Sequence, residues 1–418
     1  MTPGTAYGGI TDPSQAQIRD GFQVIPSIAV AERYDSNVFF QAKVRGLDRS
    51  DYVTTVVPQI RGIYGGSAMK LNATVGANAE YYAKNTNFNY VGANAGLLLD
   101  LSPTASRLWN GMTFQVRDSF MYTPQPPSFL VGNQEGDTSN PFLRGQQVAR
   151  VSLTTNIVGA TVSAPLTQTL SLTGGYSNGL IRFGTSEVQQ PGALLNTTYQ
   201  TFNVGMSMQL SPQDSVALSY VDSEFRYEQS GSFSSRGGRI GWTHLFSPNV
   251  TLTSSAGATV VQGSSSGSGA QGSQGQSSGL SNVSTTVAPQ GTMALIWKDR
   301  TTSLSMAYGL AIAPSYQFSA QPLLTNTVTF SVTQVTPIQQ LVGVASVNYG
   351  RGDEIGSKSV NAVSYTSYAA SGGVLYKFTP QTFLNFSYQY ANYDSQFGAT
   401  NNSFDRHVVS ISLAQAFY

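Results

Sequence analysis

Cysteine is absent from this 418-residue sequence. Its absence excludes disulfide frameworks, thiolate metal sites and cysteine nucleophiles. Charge is scarce: Asp, Glu, Lys and Arg together make 10% of the chain, against about 25% in soluble globular proteins. The net charge of +1 leaves no basic footprint for nucleic acid. Histidine occurs only as His244 and His407, and no cluster of ligands has the spacing a metal site needs. Long apolar runs are missing too, so no segment reads as the spanning helix of about 20 residues. Yet hydrophobic residues make 40% of the sequence. A chain that avoids charge and lacks helical spans fits a barrel of strands whose outer face meets lipid.

What is present supports that reading. A proline turn recurs as Ser102-Pro103, Ala164-Pro165, Ser211-Pro212, Ser247-Pro248, Thr336-Pro337 and Thr379-Pro380. Proline presets φ for a type I turn, and Ser or Thr before it can bond the turn backbone. Runs that alternate apolar and polar residues flank each turn. Phe202, Val204, Met206, Met208 and Leu210 oppose Thr201, Asn203, Gly205, Ser207 and Gln209; Leu384, Phe386, Tyr388 and Tyr390 oppose Asn385, Ser387 and Gln389. Period-two alternation places one strand face in an apolar setting and the other in a polar one. The polar faces are neutral (Ser, Thr, Asn, Gln, Gly). A soluble sandwich would instead turn many charges outward. The runs number about eighteen, from 22–33 to 404–418. The predicted fold is therefore all-β, a transmembrane antiparallel up-and-down barrel with short turns at one end and long loops at the other.

Residues 1–20 read as a flexible leader and 21–418 as the barrel. Met1 to Asp20 carry no apolar h-region, so Met1 is read as the start of a mature, exported form. Two connections stand out as long surface loops: 123–145, with four prolines, which could fold inward to narrow the pore, and the Gly/Ser/Gln tract 263–282. That tract contains G-x-G-x-x-G and G-x-S-x-G matches at Gly267–Gly272 and Gly263–Gly267, both products of low complexity without the strand and helix such motifs require. Trp109, Trp242 and Trp297 each lie beside a short turn, as an interfacial girdle would place them. An enzyme is not expected. His407 and Ser410 are three apart on a strand and point to opposite faces, and no carboxylate pair is placed for acid–base work. No cofactor is implied.

Strand parity puts Arg61, Arg117, Arg150 and Arg239 on the polar, inward face, with Lys70 beside them and Glu80 as the acidic counterpart. Asn94, Asn203, Gln209, Asn385 and Gln389 are the neutral pore-lining candidates. Unpaired, the arginines would favour anionic solutes, as basic rings do in anion pores; paired with loop carboxylates such as Glu135 or Asp137, they would brace the wall. Tyr82, Tyr90 and Tyr393 also fall inward and could offer stacking platforms to sugars.

The last strand, Val408 to Tyr418, alternates and ends in an aromatic residue. It resembles the β-signal read by the outer-membrane assembly machinery, although Gln415 interrupts the apolar face and Tyr418 lies opposite it. Near the other end, Pro26-Ser27-Ile28, Tyr34-Asp35-Ser36-Asn37-Val38-Phe39, Ser50-Asp51-Tyr52 and Pro58 resemble the opening of outer-membrane β-barrel proteins encoded with exopolysaccharide-synthesis genes. That resemblance implies an outer-membrane location and a role in letting polymer out; it carries over no catalytic residue. The expected function is a porin-like channel exporting an extracellular polysaccharide. The alternatives are a general or sugar-selective uptake porin, and a structural barrel sheathing a partner such as a multihaem electron carrier. Expected partners are outer-membrane lipid and lipopolysaccharide, the assembly machinery through the C-terminal strand, and periplasmic polysaccharide-export components.

Overall fold

The computed structural model of the chain describes residues 21–40, 48–123, 151–186, 195–228, 231–264, 283–314, 322–338, 340–355, 363–397 and 400–417. They form eighteen strands: β1 (Gly21–Asp35), β2 (Asp51–Gly65), β3 (Lys70–Tyr82), β4 (Tyr90–Asp100), β5 (Thr113–Thr123), β6 (Val151–Pro165), β7 (Leu170–Ser186), β8 (Thr197–Gln209) and β9 (Asp214–Tyr227) make the first half. The second half is β10 (Gly231–Ser247), β11 (Val250–Ser264), β12 (Val283–Lys298), β13 (Thr302–Pro314), β14 (Pro322–Val335), β15 (Leu341–Glu354), β16 (Val363–Lys377), β17 (Thr382–Phe397) and β18 (Thr400–Ala416). Each pairs antiparallel with the next, and β1 pairs with both β2 and β18, so the sheet closes into a barrel. Closure satisfies the backbone groups that an open sheet would leave bare in hydrocarbon.

Cross-strand pairs share a face, so the register sorts every strand residue into inward or outward. Leu172, Met206, Leu218 and Ile240 are successive partners across β7 to β10, all exposed at 42% or more. They form one row of an apolar outer belt. Their inward neighbours Ser171 and Ser207 bond each other at 2.6 Å. Similar hydroxyl pairs join Ser305 to Ser331, Ser346 to Ser371 and Ser387 to Ser410 along the inner wall. Asp118 interrupts the belt: it faces outward between Leu97 and Val158 and accepts a hydrogen bond from Asn156 Nδ2 at 3.2 Å.

The short turns use the expected chemistry. Ser211 Oγ accepts from the backbone N–H groups of Gln213 and Asp214, and Thr379 Oγ1 does the same for Gln381 and Thr382. One proline turn is different. Ser102-Pro103 opens the helix α1 (Ser102–Leu108), with proline in its first turn, where the missing N–H costs nothing and the fixed φ suits a helix. The Ser102 N–H is held by Asp100 Oδ1 at 2.9 Å. The following strand therefore starts at Thr113, and Trp109 closes the helix instead of opening a strand. Its indole N–H still reaches the rim, donating to the Pro165 carbonyl at 2.7 Å. Trp242 donates to Asp214 Oδ1 at the same end.

In the last strand, Val409, Ile411, Leu413, Gln415 and Phe417 all share the outward side. Gln415 is accommodated at the short-turn end because its amide accepts from Thr382 Oγ1 at 2.6 Å and donates to the Ala416 carbonyl at 2.8 Å. Tyr418, the leader 1–20, residues 124–145 of the first long loop and 265–282 of the second lie outside the described residues; Thr123 ends β5, and Gly263 and Ser264 end β11.

The two faces differ in what they tolerate. Leu218→Arg in the middle of the outer belt is expected to cost about 2–4 kcal/mol of folding free energy, whereas Ser219→Asp, one residue on and facing inward opposite Arg239, should be nearly neutral. Urea titration of the barrel in lipid vesicles checks both.

Candidate functional site: the inner wall

The register places Arg61, Arg117, Arg239, Lys70, Glu80, Asn94, Asn203, Gln209, Asn385 and Gln389 on the inward face. Arg150 lies outside the described residues, as do Glu135 and Asp137. Two inward cations escaped the sequence reading, Lys298 and Lys377, although the same parity rule selects them. On the strands, Arg61, Arg117, Arg239, Lys70, Lys298 and Lys377 thus face inward. Among the described residues of the short-turn half, Asp100 is the inward carboxylate, and its Oδ1 is already bonded to the Ser102 N–H.

Glycine makes room for two of the arginines. Arg117 lies across Gly159, its Nε 3.4 Å from where a Cβ would stand. Arg239 lies across Gly257, where a Cβ would overlap the Gly238 carbonyl oxygen and come within 2.8 Å of Arg239 Cγ. The guanidinium stems can therefore lie flat along the wall. Arg61 Nε donates to Asn72 Oδ1 at 2.9 Å, which turns its head along β3.

The long-loop end of the lumen is built differently, because there the inward side chains are buried. On one side Leu153, Ile181, Tyr199, Phe225, Tyr227, Phe233 and Val261 form an apolar cluster, with Phe225 and Phe233 stacked at 4.4 Å between ring centroids. Near-opposite, around β1, two ion pairs are sealed into the wall. Arg33 grips both Glu80 oxygens, Nη1 to Oε1 and Nη2 to Oε2, each at 2.7 Å. Tyr82 Oη donates to Glu80 at 2.7 Å and Thr55 Oγ1 accepts from Arg33. The side chains of Arg33 and Glu80 are 7% and 1% exposed, so Glu80 is not the open acidic counterpart of the lumenal arginines. It is the locked partner of Arg33. The second pair joins Arg406 Nε to Asp35 Oδ1 at 3.0 Å, with the guanidinium 4.5 Å above the Phe40 ring. Tyr82 and Tyr393 are buried in these clusters, so they pack the wall and do not present open platforms. Tyr90 is tied by Asn78 Nδ2 at 3.1 Å.

The segment Tyr34–Phe39 turns out to seam the ring. Ser36 N–H continues the ladder to the His407 carbonyl at 2.9 Å. Asn37 N–H bonds Asp35 Oδ1, and its amide reaches the Asp405 carbonyl. Val38 packs with Val53, Tyr82 and Phe88. Asp51 then holds the backbone N–H groups of Lys84 and Asn85.

The structure overlays OccK2 (OpdF) of Pseudomonas aeruginosa with a TM-score of 0.50 at 10% identity, covering 95% of this chain and 100% of that one. OccK1 (OpdK) of the same organism gives a TM-score of 0.50 at 10% identity, over 94% and 99% of the two chains. The fold is that of the outer-membrane porins. At the level of sequence, no family model and no curated protein matches the chain.

The barrel therefore belongs in the bacterial outer membrane. The buried ion pairs and aromatic clusters lie at the long-loop end, and the six inward cations lie below them. Nothing in the structural likeness links the chain to exopolysaccharide secretion. The residues that carry that resemblance serve the seam between β18, β1 and β2.

Breaking one sealed pair leaves a buried charge alone. Glu80→Leu is expected to destabilise the barrel by about 3–5 kcal/mol, and Arg33→Met with Glu80→Leu to recover most of that loss. The temperature at which the folded band is lost in a heat-modifiability gel reads the difference.

Proposed function

We propose that this chain is an uptake porin for small hydrophilic solutes that favours anions. The observation that carries the reading is the charge of the inner wall. Six cations face inward below the extracellular packing, and Asp100 is the opposing carboxylate among the described residues. A low-dielectric wall focuses that field into the lumen and raises the local concentration of anions. Between the cations the lining is hydroxyl and amide, which exchanges hydrogen bonds with a hydrated solute without holding it.

This replaces polymer export as the leading reading. A polysaccharide exit needs a lumen that stays wide to the cell surface. Here the inward side chains at that end are buried against one another on two sides of the ring. That supports passage of small molecules over a chain of sugars. OccK2 has also been crystallised with glucuronate, a small sugar carboxylate of the kind such a wall would suit. The proposal rests on the cations, since the likeness speaks for the fold.

Planar-bilayer recording in a salt gradient tests it. The wild-type barrel should show a reversal potential on the anion-selective side, and Arg61→Gln, Arg117→Gln and Arg239→Gln combined should move it toward zero. An unchanged potential in the triple variant would sink the proposed role of these arginines. In liposome swelling, small sugar acids should enter faster than neutral sugars of equal size; equal rates would favour a general porin.

A further inference from the structure

One seam of the wall stops short. β12 and β13 are joined by eight residue pairs, from Lys298↔Ser303 up to Gly291↔Leu310. Both strands continue past that point. Residues 287–290 stand opposite 311–314 in the same register, yet among the described residues they pair only with the strands behind them, β11 and β14. At about 3.3 Å a residue, the unpaired stretch is about 13 Å long. Gly291 is seven residues above Lys298 at the short-turn end. On strands tilted about 40° that is roughly 18 Å up an apolar band about 25 Å tall. The break therefore starts inside the band and runs toward its long-loop edge.

Above the break the top of β13 turns toward the lumen. Tyr308, on the outward side of that strand, is 40% exposed. Higher on the same side, Ile312 packs against the lumenal cluster that holds Tyr199, Phe225, Phe233 and Val261, and Pro314 is buried. Ala313 and its partner Leu323 on β14 are buried as well. Across the break, β12 stays in the wall, with Val287 exposed at 66%. Pro289 suits such an edge, since proline is confined to the edges and irregular points of sheets. The inner side of the break is polar. Gln290 faces inward there, its amide 3.5 Å from the Ala258 carbonyl. Gln290 pairs with Gly257, which pairs with Arg239. The Arg239 guanidinium has no hydrogen-bonded or charged partner among the described residues.

We propose that the break is a lateral slot that passes an alkyl carboxylate between the membrane and the lumen. Bare strand edges find no partner in hydrocarbon, and irregular backbone at membrane depth occurs where it is covered by protein or lines a cavity. The two sides of the slot name the occupant. Toward lipid it is edged by Val287, Pro289, Leu310 and Ile312, which suit an alkyl chain. Inside, the aromatic cluster takes the tail, and Arg239 donates charge-assisted bonds to the carboxylate. Such cargo is too apolar for a water-filled pore, so the slot adds a route through the wall to the anion path along the lumen.

The test uses the full chain in phosphatidylcholine vesicles whose lipid carries a diazirine at the end of one acyl chain. A two-chain lipid does not enter the lumen from water. After irradiation, adducts on the inward side chains Tyr199, Phe225 and Phe233 therefore report a tail that came through the wall. The wild type should carry them beside adducts on the outer belt, as read by peptide mass spectrometry. The chain has no cysteine of its own, so Pro289→Cys with Ile312→Cys can be closed by oxidation and reopened by reduction. Closure should lower the inward adducts at least tenfold, and reduction should restore them. Ile312→Trp, which fills the slot without a cross-link, should lower them likewise. Leu295→Cys with Met306→Cys, a paired position below the break, should leave them unchanged in both states. Dodecanoate should displace the inward adducts at least fivefold better than dodecanol in the wild type, and no better in Arg239→Gln. Heat-modifiable migration in gels shows that each variant has folded. Wild-type adducts confined to the outer belt would overturn the slot, as would inward adducts that persist in both the closed pair and Ile312→Trp. Equal displacement by acid and alcohol in the wild type would overturn the carboxylate. Labelling reads the wall and the reversal potential reads the lumen, so this proposal and the anion reading fail separately.

Discussion

Hydrocarbon offers no partner to a backbone N–H or C=O, and the rest of this structure follows from that constraint. Each strand must bond a neighbour on both edges, which the chain achieves by returning its last strand to its first. Nine residue pairs, from Ser27↔Ala416 to Asp35↔Val408, complete the ring. Once the ring is closed, each strand has one face toward lipid and one toward the lumen. The low charge content is then no oddity of composition. A large surface that meets lipid has little use for charge; among the described strand residues Asp118 is a charge within the outer belt, while Arg61, Arg117 and Arg239 face inward.

The inner wall handles charge in two ways. At the long-loop end charges are paired and sealed, as in Arg33 with Glu80 and Arg406 with Asp35. Removal from water is offset there by bidentate geometry and by the additional bonds from Tyr82 and Thr55. Lower down, Arg117 and Arg239 face inward over Gly159 and Gly257. The first arrangement holds strands together; the second creates a field. The same residue type serves both, and neighbours on the next strand decide which.

The strands and their facing were legible because period two is a local property. Phe202 to Leu210 announces its outer face without help from any other segment, and so do the strands that bear Arg61, Arg117 and Arg239. The Arg33–Glu80 pair was not legible, because it depends on how β1, β2 and β3 align. A row of Ala29 and Ala31 below Arg33 also softens the contrast that would have drawn attention to it. Tyr82 and Tyr393 had the correct side but not the correct environment: parity gives direction, and burial needs the opposite wall. Ser102-Pro103 misled for a plain reason, since a proline that starts a turn and one that starts a helix look alike in sequence.

The closing contact also orders events in time. Arg406 and Asp35 are 371 residues apart, and bringing such distant points together costs about 5 kcal/mol of chain entropy on a simple loop-closure scale. The charge pair and the β1–β18 ladder meet that cost only when the final strand is in place. A chain short of that strand has a bare first edge and nothing to cover it. Formation of the ring thus depends on both β1 and β18: a chain lacking either would keep an open edge on the strand left behind.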